Sequence, residues 1–195
     1  APPFKEAARA KAYLEMLKAA GLSDVEVDGV GNVMGLRRGT NAPGGPVVVL
    51  AAHLDTVFPE GTNVKVRRDG TKLHAPGVGD DTRSLAVVLA LIRAMNAGQV
   101  TTKNDILFVG NVGEEGLGDL RGTKFLFTKG KYKDRIRMFI SADGTDSGNE
   151  IVSGAVGSKR YRVTFKGPGG HSYGSFGLAS PIGALGRAVA KISRQ

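Results

Sequence analysis

Three apolar segments in the middle of the sequence constrain its fold most. They are VVVLAA at 47–52, DILFVGNV at 105–112 and RMFISA at 137–142. A nearly all-apolar helical segment lies at 84–96, and a further helix is predicted over 117–128. Apolar strands that alternate with helices are typical of an α/β domain with a mainly parallel sheet flanked by helices. We predict this fold class, and we expect helix 84–96 to be buried on most sides because it is apolar almost all round.

Shorter elements are predicted around these segments. Apolar residues at helical spacing indicate an amphipathic helix over 4–20, and short strands are predicted over 25–27 and 32–36. A hairpin is predicted from strands at 64–66 and 72–74, joined by a turn that contains Asp and Gly.

The sequence changes character beyond Gly157. KRYRVTFK at 159–166 alternates polar and apolar residues, as a strand with one solvated face does, and a helix is predicted over 181–193. We therefore predict a first domain over 1–156 and the start of a smaller α+β domain over 157–195.

Composition narrows the classes of function. The chain has no cysteine, which excludes a disulfide framework, a cysteine zinc site and a thiol nucleophile. Its net charge of +9 would suit a nucleic-acid binder, but the basic residues are scattered and the few aromatic residues do not interleave with them. No apolar run approaches the roughly 18 residues of a transmembrane helix, and no signal-peptide pattern is present. We expect a cytoplasmic protein that binds neither nucleic acid nor membrane.

Candidate metal ligands follow each apolar strand. His53 and Asp55 come after the first strand, Glu114 and Glu115 after the second, and Asp143 after the third. Ligands of open α/β sheets bind outside the carboxyl ends of the strands, so we expect these side chains to converge at one edge.

A further acidic pair, Asp80-Asp81, ends the glycine-rich stretch APGVGDD just before helix 84–96. One imidazole with several carboxylates suits zinc, and also cobalt or manganese. The carboxylates outnumber the needs of one zinc, which suggests two metals that share a bridging aspartate. One glutamate of the adjacent pair can bind a metal while its neighbour takes a proton from water. Asp55 can fix the tautomer of His53.

Each group also has a structural explanation. The histidine and aspartate can simply end a strand, the aspartate pair can cap a helix, the glutamate pair can complement a helix dipole, and Asp143 can begin a turn. We prefer a metal site because all four groups fall at the same predicted edge. His74 has no acidic neighbour in sequence and is predicted to be structural. The glycine-rich stretches at 29–35 and 116–122 lack the spacing of dinucleotide loops.

In this order, HLDTV, APGVGDD, GEEG and SADG resemble the di-zinc hydrolases that include aminoacylase, peptidase T, carnosinase-type dipeptidases and glutamate carboxypeptidase. The resemblance covers nearly the whole chain. It implies a zinc-exopeptidase-like catalytic domain over 1–156 and the start of a lid or dimerisation domain over 157–195. It also implies a metal-dependent hydrolase that cleaves peptide or amide bonds of small peptides or N-acyl amino acids with a metal-bound water.

The resemblance implies roles for the residues that match its motifs. The implied metal ligands are His53, Asp80, Glu115 and Asp143, with Asp80 as the bridge. Glu114 would be the general base and Asp55 would orient His53. His171, in KGPGGHSYG, would stabilise charge on the carbonyl oxygen, and a homodimer could form through the lid.

The family's second metal takes a further histidine from late in the catalytic domain. None of the three histidines, His53, His74 and His171, fits that role. We therefore expect the chain to be a fragment whose second metal site is open and weak, and which is inactive by itself. The alternative function is a non-catalytic or truncated binding module with the same fold.

Overall fold

The computed structural model describes residues 1–144 and 150–194 and divides into two compact units. These units are Ala1–Glu150 and Ile151–Gln195. The functional division of the chain at residue 157 stays a prediction. Among the described helices, none has both the length and the apolar character needed to cross a membrane.

A five-stranded mixed sheet forms the framework of the first unit. Its strands in chain order are β1 (Ser23–Val27), β2 (Val33–Arg37), β3 (Val47–His53), β6 (Asp105–Asn111) and β7 (Ile136–Ser141). The spatial order is β1-β2-β6-β3-β7, and β3 lies parallel to both β6 and β7. The β1–β2 hairpin adds antiparallel strands on the β6 side.

Helices cover both faces of this sheet. They are α1 (Ala7–Ala19), α2 (Ser84–Ala97) and α3 (Arg121–Thr128). Successive strand residues point to opposite faces, so β3 contributes to two separate cores. Val49 and Ala51 pack in a cluster with Leu126 of α3, whereas Leu50 and Ala52 pack in the cluster formed by α1 and α2. The predicted α/β fold with a mainly parallel sheet and flanking helices is therefore confirmed.

The expectation that α2 is buried on most sides is wrong. Leu85, Val88 and Ile92 face the core, but Val87 is 56% exposed and Leu91 is 42% exposed. The helix packs with one side on the sheet, and no described residues of the first unit bury the opposite side.

The predicted hairpin is present with a different first strand. β4 (Arg67–Asp69) pairs with β5 (Lys72–His74), so the strand predicted at 64–66 begins three residues later. A two-residue turn starting at Gly70, whose φ is +56°, sets this register, because such turns favour a left-handed glycine.

The described residues of the second unit form one helix, α4 (Pro181–Ile192), close to the predicted 181–193. Ser180 caps it by accepting a hydrogen bond from the Gly183 amide at 3.2 Å, and Pro181 occupies its first turn. The strand predicted at 159–166 does not form. A strand needs a hydrogen-bonded partner, and no described segment pairs with these residues.

Asp105 ties the start of β6 to two other parts of the first unit. Its carboxylate accepts hydrogen bonds from the Gly39 amide at 2.9 Å and the Arg135 guanidinium at 2.7 Å, and Arg38 lies 3.6 Å away. Burial acts to raise the pKa of Asp105, but these donors outweigh it and hold the pKa below its usual value. The resulting stability is present above the unfolded-state pKa of about 3.9 and is lost as pH falls through the lower folded-state value.

We predict that Asp105→Asn lowers the free energy of unfolding by about 2 kcal/mol at pH 7, the usual size for a hydrogen bond to a charged group. The difference from wild type should shrink as pH falls below about 4, because the unfolded wild-type chain takes up a proton at Asp105 before the folded chain does. Denaturant unfolding across this pH range checks both points. Asp69→Asn, at an exposed ion pair, is the control, and an equal loss at every pH would contradict the prediction.

Candidate metal centre

His53 lies buried at the carboxyl end of β3 and faces several carboxylates. Its Nε2 is 2.9 Å from Asp80 Oδ1, 3.8 Å from Asp143 Oδ1 and 3.9 Å from Asp81 Oδ2. Its Nδ1 is 3.0 Å from the Asp55 carbonyl oxygen, which can only accept a hydrogen bond. In the neutral ring, Nδ1 therefore carries the proton and Nε2 presents a lone pair to the acidic side.

Two groups of side chains at this edge have metal-ligand character, and both include His53. Within each group the candidate ligand atoms lie within 4.8 Å of one another. One group is His53, Asp80 and Glu115; the other is His53, Asp81 and Asp143. The structure thus brings together the four residues predicted as metal ligands and adds Asp81, for which no separate role was predicted.

Asp81 supplies a test of whether a metal fits here. Its side chain is fully buried, and Oδ2 accepts a hydrogen bond from the His53 amide at 2.7 Å. Within the described part of the chain, Oδ1 has no hydrogen-bond partner. Burial raises the pKa of Asp81 to about 6, because an ionised carboxylate is costly where water is excluded. A cation beside His53 would offset this cost, so the donor set fits a divalent metal.

Asp55 is fully buried and holds the two glutamates through their backbone. Its Oδ1 accepts a hydrogen bond from the Glu114 amide at 3.0 Å, and its Oδ2 accepts one from the Glu115 amide at 2.8 Å. Its carboxylate lies 3.7 Å from Nδ1 of His53, so the backbone carbonyl of Asp55 makes the direct hydrogen bond to the ring. Asp55 therefore links the loop after β3 to the loop after β6.

Glu114 and Glu115 are half-buried at this edge. Burial raises the pKa of Glu114, and the charges of Asp143, Glu115 and Asp55 act in the same direction. Burial also raises the pKa of Glu115, assisted most by Asp80. A carboxylate with a raised pKa is a stronger base, which suits proton transfer near neutral pH.

Two of the structural roles considered for these acidic groups, helix capping and first-turn complementation of a helix dipole, do not agree with the structure. α2 begins after Arg83 without a side-chain cap, so the aspartate pair does not cap it. α3 begins only at Arg121, so Glu114 and Glu115 are not in its first turn. Asp143 Oδ1 accepts a hydrogen bond from the Gly144 amide, and the turn that Asp143 could begin lies outside the described residues.

The other two histidines belong to neither candidate ligand group. His74 is exposed at the end of the β4–β5 hairpin. His171 belongs to the second unit, where it is exposed and its Nδ1 accepts hydrogen bonds from the Tyr173 and Gly174 amides, each at 3.3 Å. Its role in stabilising an oxyanion stays a prediction.

Two further residues that contact the site loops, Glu6 and Arg9, were missed in the sequence. Glu6 is only 4% exposed, and its carboxylate reaches the loop after β6. The signal was present in the helical periodicity, because the buried residues of α1 are Ala10, Tyr13 and Leu17 and Glu6 falls on the same stripe. A charged residue on the core stripe of a helix indicates a buried partner.

Comparison with known proteins identifies the family. Residues 32–166 match the sequence model of peptidase family M28. The chain belongs to this family. The predicted kinship with metal-dependent peptidases and aminoacylases is confirmed, and with it the membership of a hydrolytic enzyme family.

Individual relatives of this M28 chain agree with that assignment. Succinyl-diaminopimelate desuccinylase of Burkholderia lata is 26% identical over 194 residues, which cover 93% of this chain and 51% of that protein. A tripeptidase of Staphylococcus aureus is 25% identical with a TM-score of 0.50, over 69% of this chain and 37% of the other. An aminopeptidase of Desulfurococcus kamchatkensis, at 17% identity, shares the fold with a TM-score of 0.59 over 100% of this chain and 74% of its own. The chain spans about half the length of the curated relatives it matches.

We predict that His53→Ala abolishes stoichiometric binding of zinc, because both candidate ligand groups lose their only nitrogen donor. Elemental analysis after dialysis against zinc measures the loss. His74→Ala, which removes an exposed histidine, should keep the wild-type zinc content. An unchanged zinc content in His53→Ala would mean that His53 is structural and that the centre is elsewhere.

Metal binding should release a proton from His53 at neutral pH. Burial acts to lower the pKa of His53, but the Asp55 carboxylate and the charges of Asp81 and Asp143 outweigh it and raise the pKa to about 9. Since a metal ligand must be the neutral ring, the metal displaces this proton, and affinity should fall as pH falls below about 9. Calorimetric titration in buffers of different ionisation enthalpy measures the released proton. A pH-independent affinity between 6 and 9 would contradict the prediction.

Proposed function

We propose that this M28 chain carries the metal-binding part of a zinc-dependent hydrolase that cleaves peptide or amide bonds in small peptides or N-acyl amino acids. The observation that supports it most is the convergence of one buried imidazole and several carboxylates at the carboxyl edge of the sheet. The relatives named as a desuccinylase and a tripeptidase support this substrate class.

The proposed ligands of two zinc ions are His53, Asp80, Glu115 and Asp143, with Asp80 shared between the ions. Cobalt or manganese would suit the same donors. When bound, such ions polarise the scissile carbonyl and lower the pKa of water to near neutrality. Asp81 supports this choice of ligands without being one of them, because its buried carboxylate adds negative charge beside His53.

Glu114 is the proposed general base. Its carboxylate accepts a proton from the attacking water and returns it to the leaving amine, so the residue ends each cycle ionised. Asp55 holds the backbone at Glu114 in place, because its carboxylate accepts hydrogen bonds from the amides of Glu114 and Glu115. His171 is the proposed donor to the developing oxyanion. Dimerisation through the second unit and a cytoplasmic location are further parts of the proposal.

We predict that Glu114→Ala in the full-length natural protein lowers turnover by about 10²–10⁴-fold, the usual contribution of a general base. Zinc content should stay at the wild-type value, because Glu114 is not a proposed ligand. Hydrolysis of a panel of tripeptides and N-succinyl amino acids measures turnover, and Glu60→Ala, at an exposed ion pair, is the control.

Full turnover in Glu114→Ala would show that another group is the base. A wild-type protein that binds no zinc or cobalt and hydrolyses none of these substrates would overturn the proposed hydrolase. The non-catalytic binding module would then be the better explanation of the same fold.

A further inference from the structure

Glu6, the residue that precedes α1, reaches the loop that carries Glu114 and Glu115. Its Oε1 accepts hydrogen bonds from the Gly113 amide at 3.0 Å and from the Arg121 guanidinium at 2.9 Å. The Glu6 carboxylate is buried, so its ion pair with Arg121 is shielded from water. Removing the Glu6 charge therefore leaves the Arg121 guanidinium without its partner. The loop is thereby fastened at its beginning to α1.

Together, two buried carboxylates bind three consecutive amides of this loop. Glu6 accepts from Gly113, and the two oxygens of Asp55 accept from Glu114 and Glu115. Hydrogen bonds from backbone amides to ionised carboxylates are shorter and stronger than neutral ones. The backbone direction at the proposed base and the proposed ligand therefore depends on both acids.

Arg9 makes corresponding contacts to two further loops, the loop after β3 and the loop that carries Asp80 and Asp81. Its Nη1 donates to the Leu54 carbonyl at 3.0 Å, and its Nη2 donates to Thr82 Oγ1 at 2.6 Å. Leu54 directly follows the proposed ligand His53, and Thr82 directly follows Asp81. Glu6 and Arg9 are three positions apart, which places both side chains on the same side of the helix start.

We propose that Glu6 and Arg9 are positioning residues that hold three of the four loops of the metal centre in a fixed arrangement from the start of α1. The proposal rests on the proposed function in one respect, since it takes these loops to carry the metal ligands. Neither residue touches a candidate ligand side chain directly; both act through backbone or hydroxyl groups of neighbouring residues.

The positive charge of the Arg9 guanidinium also offsets the negative charge of nearby carboxylates at the site. Burial acts to lower the pKa of Arg9, and the nearby carboxylates of Asp81 and Asp55 oppose that effect. A lysine at this position keeps the positive charge but lacks the planar fork that reaches Leu54 and Thr82 at once. Arg9→Lys therefore separates the positioning role from the charge itself.

Two conservative variants test the proposal, each with a matched control. Glu6→Gln keeps the size of the side chain and removes the charge, and Glu15→Gln makes the same change at an exposed pair on α1. Arg9→Lys is matched by Arg93→Lys at an exposed position of α2. The first measurement is amide hydrogen exchange of the metal-free chain, followed over 111–116. The second is the affinity and visible spectrum of cobalt.

In Glu6→Gln, exchange over 111–116 should become about tenfold faster, while Glu15→Gln exchanges as wild type does. In both test variants, cobalt affinity should fall by about 10-fold or more, the usual effect of losing a partner that orients metal ligands, and the cobalt spectrum should change. Because the two variants act on different loops, failure of one to fold leaves the other as the test.

Unchanged exchange in Glu6→Gln together with wild-type cobalt affinity in both variants would overturn the proposal, even if their melting temperatures fall. A lower melting temperature alone indicates a merely structural contact. A wild-type chain that binds no cobalt would instead count against the proposed function, and the exchange rates over 111–116 would then decide whether Glu6 holds this loop.

Discussion

The parallel pairing of β3 with β6 on one side and β7 on the other is the constraint on which the candidate metal centre depends. The register sets His53 opposite Asn111 and Ala51 opposite Ser141, so β3 and β6 end level and β7 ends opposite Ala51, two residues before the end of β3. The Leu54 amide continues the pairing by donating to the Asn111 carbonyl at 2.7 Å. A shift of one residue would turn His53 to the other face of the sheet and separate it from the acids.

The centre brings several carboxylates close together, and the fold stabilises the negative charge of some of them more than that of others. Backbone amides stabilise both oxygens of Asp55 and one oxygen of Asp81. Burial acts to raise the pKa of Asp55, but His53 and the two amides outweigh it and lower the pKa. Asp81 has fewer donors and its pKa is raised, as are those of Glu114 and Glu115. The carboxylates of Asp80, Asp81 and Asp143 lie within 3.9 Å of His53 Nε2 and are offset there by the proton of the imidazolium, which a metal cation would replace.

Sequence reasoning succeeded where the signal is local and failed where it depends on distant contacts. Apolar runs that end in polar residues predicted the parallel strands and the edge at which His53 lies. The helical periodicity of α1 marks Glu6 as buried, but the partners of Glu6 and Arg9 lie 107, 45 and 73 positions away, and no local pattern identifies them. The exposed side of α2 was misjudged for the same reason, since apolar composition does not say how many sides of a helix are covered.

The two adjacent aspartates show how neighbouring residues of one type come to differ in chemistry. The Asp80 side chain is 45% exposed, and the Asp81 side chain is fully buried. Asp81 is fixed by the His53 amide, so it can contribute charge but has little freedom to reorient. Asp80 lies next to His53 Nε2 and is partly exposed, so its carboxylate is less constrained than that of Asp81. This difference in burial supports the proposal that Asp80 is the shared ligand, with Asp81 as a fixed charge near the imidazole.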